Sequence, residues 1–270
     1  MSGYDSGINS TPCYIIEGIR LAQRIFPSMH WKKRLSSIHL ILFDVDGTLL
    51  LSGGAGAGAL NIAFERIHGI PNAMRHVRPH GKTDELIVQE MFRSHLERRG
   101  SESEVKALLK KYVEILPTTV RESKNFHLMP GIPDLLSCLK SRKDVFMGLG
   151  TGNIEEGARI KLSRGGLNQF FSFGGFGSDS GDRAELLEAG FQRGEQIIQK
   201  EHPCKSISRW VIGDTWRDVS AGHACGANTI AVATGGDSLY ELASASPDFL
   251  FATLENKQAI YEILDGGKRA

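Results

Sequence analysis

Two aspartates, Asp44 and Asp46, lie one residue apart directly after an apolar run, in the segment HLILFDVDGTLL. A chain that leaves a buried strand here can present Asp44 as a nucleophile, while Gly47 permits a turn that brings Asp46 alongside as general acid and base. A carboxylate that attacks phosphorus in line forms an aspartyl-phosphate, and the second carboxyl can protonate the departing alkoxide. The spacing therefore suits phosphoryl transfer.

Two further apolar runs also end in polar groups. Thr151, Gly152 and Asn153 follow VFMGLG, and Asp214 and Asp218 follow RWVIGD. If the runs are neighbouring parallel strands, their carboxyl ends share one edge of the sheet and these groups converge. Carboxylates brought together in this way repel one another unless a cation or raised pKa values compensate them. We therefore expect a hard divalent cation with oxygen ligands, Mg²⁺.

Six apolar runs of strand length supply the elements that must position these groups. Their hydrophobicity is nearly continuous, which is typical of strands covered on both faces of a parallel sheet. The runs span residues 39–44, 145–150, 170–176, 209–214, 228–234 and 248–253. Helical patterns separate several of them, at residues 153–166, 182–200 and 216–226. This alternation predicts an α/β fold, a doubly wound parallel sheet.

Residues 51–126 interrupt this alternation, because they contain helical patterns and no convincing strand. The turn residues of HLMPGIPDLL then mark the return to the sheet. We therefore predict an N-terminal extension at 1–37, an α/β core at 38–50 and 127–270, and an inserted helical domain at 51–126.

The composition limits the classes of partner. With 32 Lys and Arg against 31 Asp and Glu, the formal charge of +1 gives no global field for nucleic acid or anionic lipid. No apolar run approaches the ~20 residues that cross a bilayer. The cysteines show no metal-binding spacing and are expected to be reduced thiols of a cytoplasmic protein; they are Cys13, Cys138, Cys204 and Cys225. A small molecule is the expected partner.

Residues 1–37 are basic, with apolar residues between the charges. They could be an extension that docks on the domain or an organellar presequence, but they lack the uninterrupted apolar segment of a secretory signal.

The segment GAGAGA, residues 54–59, satisfies the G-x-G-x-x-A pattern of dinucleotide-binding proteins. That pattern needs its first glycine in the tight turn directly after a strand, whereas about ten residues separate this segment from the first predicted strand. We interpret it as a glycine-rich hinge into the insertion.

Three segments together resemble the haloacid dehalogenase superfamily of phosphohydrolases. DVDGTLL is similar to its first motif, GLGTGN to its second and VIGDTWRD to its fourth, in the same order and with similar separations. The resemblance spans about residues 38–265 and is nearest to the phosphoglycolate phosphatase-like subgroup. It implies a Rossmann-like core and a helical cap that closes over the site, so we call residues 51–126 the cap.

The resemblance also implies roles for individual residues. Asp44 would be the nucleophile, Asp46 the acid and base, and Thr151 a hydroxyl donor to the phosphate. Mg²⁺ would be held by Asp44, the Asp46 carbonyl and Asp214, with Asp218 just outside the direct ligands. The presence of Asp46 favours phosphoryl transfer over cleavage of a carbon–halogen bond, since only an alkoxide leaving group needs a proton.

The third motif of the family is usually a lysine, and two basic residues could replace it here. Lys161 lies ten residues beyond Thr151 on one predicted helix, which places its backbone ~15 Å further from the strand ends, too far for a contact. Arg183 begins the helix after a short strand, where the subgroup carries its lysine. A guanidinium there could bind phosphate in a forked geometry, so we favour Arg183.

Substrate contacts are expected from Thr151, Gly152, Asn153 and, in the cap, Lys82. The cap segment RPHGKTDELI could equally be ordinary helix capping by Thr83. The sequence thus predicts a Mg²⁺-dependent phosphatase for a small phosphate monoester. Phosphoglycolate, sugar phosphates and nucleoside monophosphates all stay open as substrates, a sugar-phosphate mutase is the alternative activity, and a degenerate binding module is less favoured.

Overall fold

The computed structural model describes residues 37–203 and 205–266. The predicted N-terminal extension therefore lies almost wholly outside the described residues, as do Cys13 and Cys204. Cys138 and Cys225 are free thiols. None of the described helices is both long and apolar enough to span a membrane.

The core is a six-stranded sheet whose neighbouring strands all run parallel. Its strands are β1 (Ile38–Phe43), β4 (Val145–Thr151), β5 (Gly174–Phe176), β6 (Ile207–Gly213), β7 (Asn228–Val232) and β8 (Phe249–Phe251). The order across the sheet is β5-β4-β1-β6-β7-β8, so β1 lies between β4 and β6. The predicted α/β fold with a doubly wound parallel sheet is confirmed.

Helices cover both faces of this sheet. They are α4 (Ile132–Lys140), α5 (Glu155–Arg164), α6 (Arg183–Glu201), α7 (Trp216–Ala224), α8 (Leu239–Ser244) and α9 (Lys257–Leu264). Along β1, Ile41 and Phe43 face a cluster that includes residues of α4, α5 and α9. Leu40 and Leu42 face a second cluster built with α6 and α7. Burial on both faces explains why the strand is apolar at every position.

The cap contains three helices, α1 (Ala55–His68), α2 (Asp84–Leu96) and α3 (Glu102–Glu122). They share a buried cluster of their own, joined by Ile154 from the core. A two-stranded antiparallel ladder lies where the chain enters and leaves the cap, and it consists of β2 (Leu50–Leu51) and β3 (His127–Leu128). The expectation of no strand from residue 51 onward was therefore wrong by this one residue, since a two-residue strand leaves no periodic signal.

Two apolar or glycine-rich segments differ from their predicted structure. Within 170–176 only Gly174–Phe176 is strand, and a 3₁₀ helix, Asn168–Phe170, ends where the predicted strand began. Phe171 and Phe173 are nevertheless buried, so the apolar run reflects a loop covered by the core. The predicted hinge at 54–59 is helical from Ala55, and Gly54 supplies the left-handed N-cap with φ of 83°.

Candidate active site

The three predicted chemical segments meet at the carboxyl edge of the sheet because their strands are adjacent. β1 pairs with β4 on one side and with β6 on the other. Asp44 follows β1 directly, Thr151 ends β4, and Asp214 follows β6. The expected neighbourhood of these strands is confirmed, and it places the three side chains along one short stretch of the sheet edge.

Three carboxylates form a compact cluster at this edge. One oxygen from each of Asp44, Asp214 and Asp218 lies within 4.8 Å of the others, and all three residues are buried. Burial raises the pKa of Asp44 to about 6, while Arg183 opposes this shift and Asp218 adds to it. Burial, with the charges of Asp44 and Asp218, raises the pKa of Asp214 well above its usual range. A cation here would relieve both effects.

The carboxyl group of Asp214 is held from two sides. Thr48 Oγ1 donates to its Oδ1 at 3.1 Å, and the backbone N–H of Gly236 donates to its Oδ2 at 2.6 Å. Gly47 has a left-handed φ of 90°, and a Cβ added there would lie 2.4 Å from Asp214 Oδ2. Glycine is therefore needed in the turn after Asp46 both for its backbone conformation and for the close approach of Asp214.

Arg183 joins the nucleophile candidate to Asp218. Its Nη2 lies 3.0 Å from Asp44 Oδ1, and its Nε donates to Asp218 Oδ1 at 2.8 Å. Asp218 Oδ2 accepts from the backbone N–H and the Oγ1 of Thr215, at 3.0 and 2.7 Å. Both oxygens of Asp218 are thus engaged by protein donors, which suits a residue that orients Arg183 rather than a direct metal ligand.

Asp46 has a different set of partners. Its Oδ2 lies 2.6 Å from Lys161 Nζ and accepts from Asn153 Nδ2 at 2.8 Å. Lys161 Nζ also donates to Asn153 Oδ1 at 2.6 Å, and Asn153 Nδ2 donates to Thr151 Oγ1 at 2.8 Å. The side chain of Asp46 is 37% exposed, against 9% for Asp44. The two aspartates therefore occupy separate surroundings.

The expected distance for Lys161 was wrong. Helix α5 begins only at Glu155, so Lys161 lies six residues along it, or ~9 Å by the helical rise. Helical side chains also slant towards the N-terminus, and the four-carbon stem of lysine brings Nζ back to the sheet edge. Both basic candidates consequently lie at the site, Arg183 beside Asp44 and Lys161 beside Asp46.

The cap docks on the loop that follows β4. The backbone N–H of Asp84 donates to the carbonyl of Gly152 at 2.8 Å, and Asp84 Oδ2 accepts from the N–H of Ile154 at 2.8 Å. A Cβ on Gly152 would lie 2.3 Å from the carbonyl oxygen of Lys82. Thr83 caps α2 by accepting from the N–H of Leu86, so the capping alternative for this segment is confirmed.

Between cap and core lies a cavity of about 430 Å³. All but one of the predicted site residues line this cavity. The residues that do so are Asp44, Asp46, Lys82, Thr151, Gly152, Asn153, Arg183 and Asp214. The exception, Asp218, belongs to the carboxylate cluster and binds Arg183, but it does not line the cavity. Lys82 does reach the wall, but its Nζ is bound by Glu90 at 2.6 Å.

Sequence reasoning missed four groups at this site, Thr48, Asp84, Tyr112 and the pair Gly235 and Gly236. The buried Tyr112 lines the cavity, and burial raises the pKa of its hydroxyl well above the usual range, so it is a neutral group. Thr48 was inside the quoted first motif and the glycine pair follows β7, but nothing in the sequence tied either to Asp214.

Comparison with known proteins gives one family. A family model described as haloacid dehalogenase-like hydrolase matches residues 41–232, which is more than half of the chain. A search of curated proteins gave no significant match.

Solved structures share the fold. A predicted phosphoglycolate phosphatase from Haemophilus somnus is 19% identical, with 82% of this chain and 97% of that chain covered and a TM-score of 0.59. A putative beta-phosphoglucomutase from Bacteroides vulgatus is 19% identical, with coverages of 94% and 98% and a TM-score of 0.60. A predicted phosphatase from Clostridium acetobutylicum is 18% identical, with coverages of 84% and 100% and a TM-score of 0.61.

Proposed function

Because the chain belongs to the haloacid dehalogenase-like hydrolase family, we propose that it is a Mg²⁺-dependent phosphatase. Its substrate would be a small phosphate monoester of the cytoplasm, hydrolysed through an aspartyl-phosphate. The observation that carries the proposal is the separation of the two aspartates after β1. Asp44 is buried beside Arg183, whereas Asp46 is partly exposed towards the cavity.

In the first step, a carboxylate oxygen of Asp44 attacks phosphorus. The new bond is the acyl phosphate, and the bond between phosphorus and the ester oxygen breaks. Arg183 neutralises negative charge on the attacking group and the phosphate oxygens, and the hydroxyl of Thr151 donates to one of them. Asp46 gives its proton to the departing alkoxide, so an alcohol leaves.

In the second step, water attacks the phosphorus of the acyl phosphate. Asp46, now a carboxylate, accepts a proton from this water, and the bond between phosphorus and Asp44 breaks. Inorganic phosphate leaves and Asp44 is regenerated. Lys161 and Asn153, which contact Asp46 at 2.6 and 2.8 Å, hold its carboxyl group in place through both transfers.

The residues at the carboxyl edge fit Mg²⁺. The cluster of Asp44, Asp214 and Asp218 offers oxygen atoms alone, the donor type that this ion prefers. Asp44, Asp214 and the main-chain carbonyl of Asp46 would hold the ion, while Asp218 is engaged by Arg183 and Thr215. When bound, Mg²⁺ would offset repulsion between carboxylates and phosphate.

A sugar-phosphate mutase is the second candidate, since the fold is shared with a putative beta-phosphoglucomutase. A mutase would use the same first step but would hydrolyse esters slowly and require a bisphosphate activator.

The test is turnover of a panel of phosphate monoesters by the purified full chain with Mg²⁺, beside Asp44→Asn. Hydrolysis by the wild type and a loss of about 10³-fold or more in the variant are expected, because an amide is a poor nucleophile. Undiminished turnover in Asp44→Asn would refute the assigned nucleophile. Turnover that appears only after addition of a bisphosphate would favour the mutase.

A further inference from the structure

The cap wall of the cavity is built largely from small and apolar residues. They are Gly54, Gly56, Ala57, Leu60, Met74 and Ile87. These residues offer no hydrogen bonds from their side chains and favour an apolar portion in whatever lies against them. Polar groups on the same side are Ser52, His80, Tyr112 and Asn125, with the charged Lys82 and Asp84.

Lys82 is the sole lysine or arginine among the described cap residues that line the cavity. Its charge is already matched within the cap, because Nζ lies 2.6 and 2.8 Å from the two carboxylate oxygens of Glu90. The two side chains are 21% and 33% exposed, so water screens this pair only in part. The pair leaves the cap wall without a net positive charge to offer.

The cations of the core are committed as well. Arg183 contacts Asp44 and Asp218, and Lys161 contacts Asp46. The buried carboxyl group of Asp84 adds a further acidic group to the cavity wall from the cap side. A second anionic group on the substrate, beyond the reacting phosphate, would therefore lose its water without gaining an unmatched cation.

We propose that the substrate is a phosphate monoester of an uncharged, partly apolar alcohol, and that the Lys82–Glu90 ion pair selects against a second anionic group. The inference rests on the proposed phosphatase function. It separates this chain from enzymes whose substrates carry a carboxylate or a second phosphate, including the bisphosphate that a mutase requires.

The first test compares three phosphate monoesters. Two share one carbon skeleton, 2-phosphoglycolate and the compound in which its carboxylate is replaced by an uncharged amide, and the third is the apolar benzyl phosphate. The full chain is assayed with Mg²⁺ at one fixed pH, so that the three esters meet the same protein charges. The kcat/KM for the amide and for benzyl phosphate should exceed that for phosphoglycolate by about tenfold or more, since an unmatched buried charge is costly. Equal or faster turnover of phosphoglycolate would overturn the inference and leave the phosphatase function standing. No turnover of any ester would overturn both.

The second test removes the negatively charged partner of Lys82 and keeps the lysine itself. Glu90→Gln keeps the shape and a hydrogen-bond acceptor but removes the negative charge, so kcat/KM for phosphoglycolate relative to the amide should rise about fivefold or more. The matched control is Glu90→Gln with Lys82→Met, which also lacks the cation and should return the ratio to that of the wild type. An unchanged ratio in Glu90→Gln, or a ratio that stays raised in the control, would overturn the role of the ion pair.

Discussion

The two aspartates that follow β1 differ in their surroundings. This difference divides the part of the cavity wall that the α/β core supplies into two sides. On the Asp44 side, formed by Asp44, Arg183, Asp214 and Asp218, nearly every charged atom is buried. On the Asp46 side, formed by Asp46, Asn153 and Lys161, the carboxylate faces the cavity and is partly exposed. A nucleophile and a metal site need fixed geometry, whereas a group that exchanges protons needs access to substrate and water.

The largest expected effect tests the buried side. Arg183→Ala would leave the carboxylates of Asp44 and Asp218 without their shared cation, in a place that water reaches poorly. We expect kcat/KM to fall by about 10²-fold or more and, with chelator present, the free energy of unfolding to fall by roughly 3 kcal/mol. Steady-state kinetics and urea denaturation measure the two effects.

Lys161→Ala is the matched variant for the other side. Asp46 is more than a third exposed, so water can solvate its carboxylate when the lysine is gone. Both losses should therefore be smaller than in Arg183→Ala. A greater loss of activity or stability in Lys161→Ala would mean that the Asp46 side, and not the Asp44 side, is the one whose fixed geometry matters more.

An intermediate effect concerns the leaving group. If Lys161 and Asn153 hold Asp46 for proton transfer, Lys161→Met should slow an alkyl phosphate about tenfold more than p-nitrophenyl phosphate, whose leaving group needs little protonation. Arg183→Ala should instead slow the two esters to a similar extent, because it acts on the phosphate. The ratio of the two kcat values for each variant measures this difference. Equal ratios in both variants would remove the distinction between the two sides.

The two sides also differed in how far the sequence could predict them. Asp44, Thr151 and Asp214 follow apolar strands directly, and adjacent parallel strands bring their ends together. Arg183 was predictable only with the family resemblance, which implies a cation at the start of the helix after a short strand. The place of Lys161 depends on where α5 begins and on which way one side chain slants, and neither leaves a signal in the composition.

The apolar run at 170–176 shows the same limit in the fold. Phe171 and Phe173 are as buried as strand residues, but they precede β5, and only Gly174–Phe176 pairs with β4. Hydrophobicity reports burial, and burial does not distinguish a strand from a covered loop. The burial of Asp84 was not predictable either, because it arises from contact between cap and core.

The smallest expected effect is on stability, at the point where the cap meets the Asp46 side. Burial raises the pKa of Asp84 from 3.8 to about 6, while Lys161 and the N–H of Ile154 oppose the shift. Between those values the folded protein holds a proton that the unfolded chain releases, so this group lowers the free energy of unfolding as pH rises from about 4 through 6. Asp84→Asn keeps an acceptor for Ile154 and removes the charge. As pH rises from 4.5 to 7.5, the free energy of unfolding of Asp84→Asn should therefore increase relative to that of the wild type by on the order of 1 kcal/mol, measured by urea denaturation in chelator.

Glu85→Gln, an exposed neighbour in the same helical turn, is the control and should show no such increase. An equal gain in both variants would mean that the cap contact imposes no charge penalty on the Asp46 side.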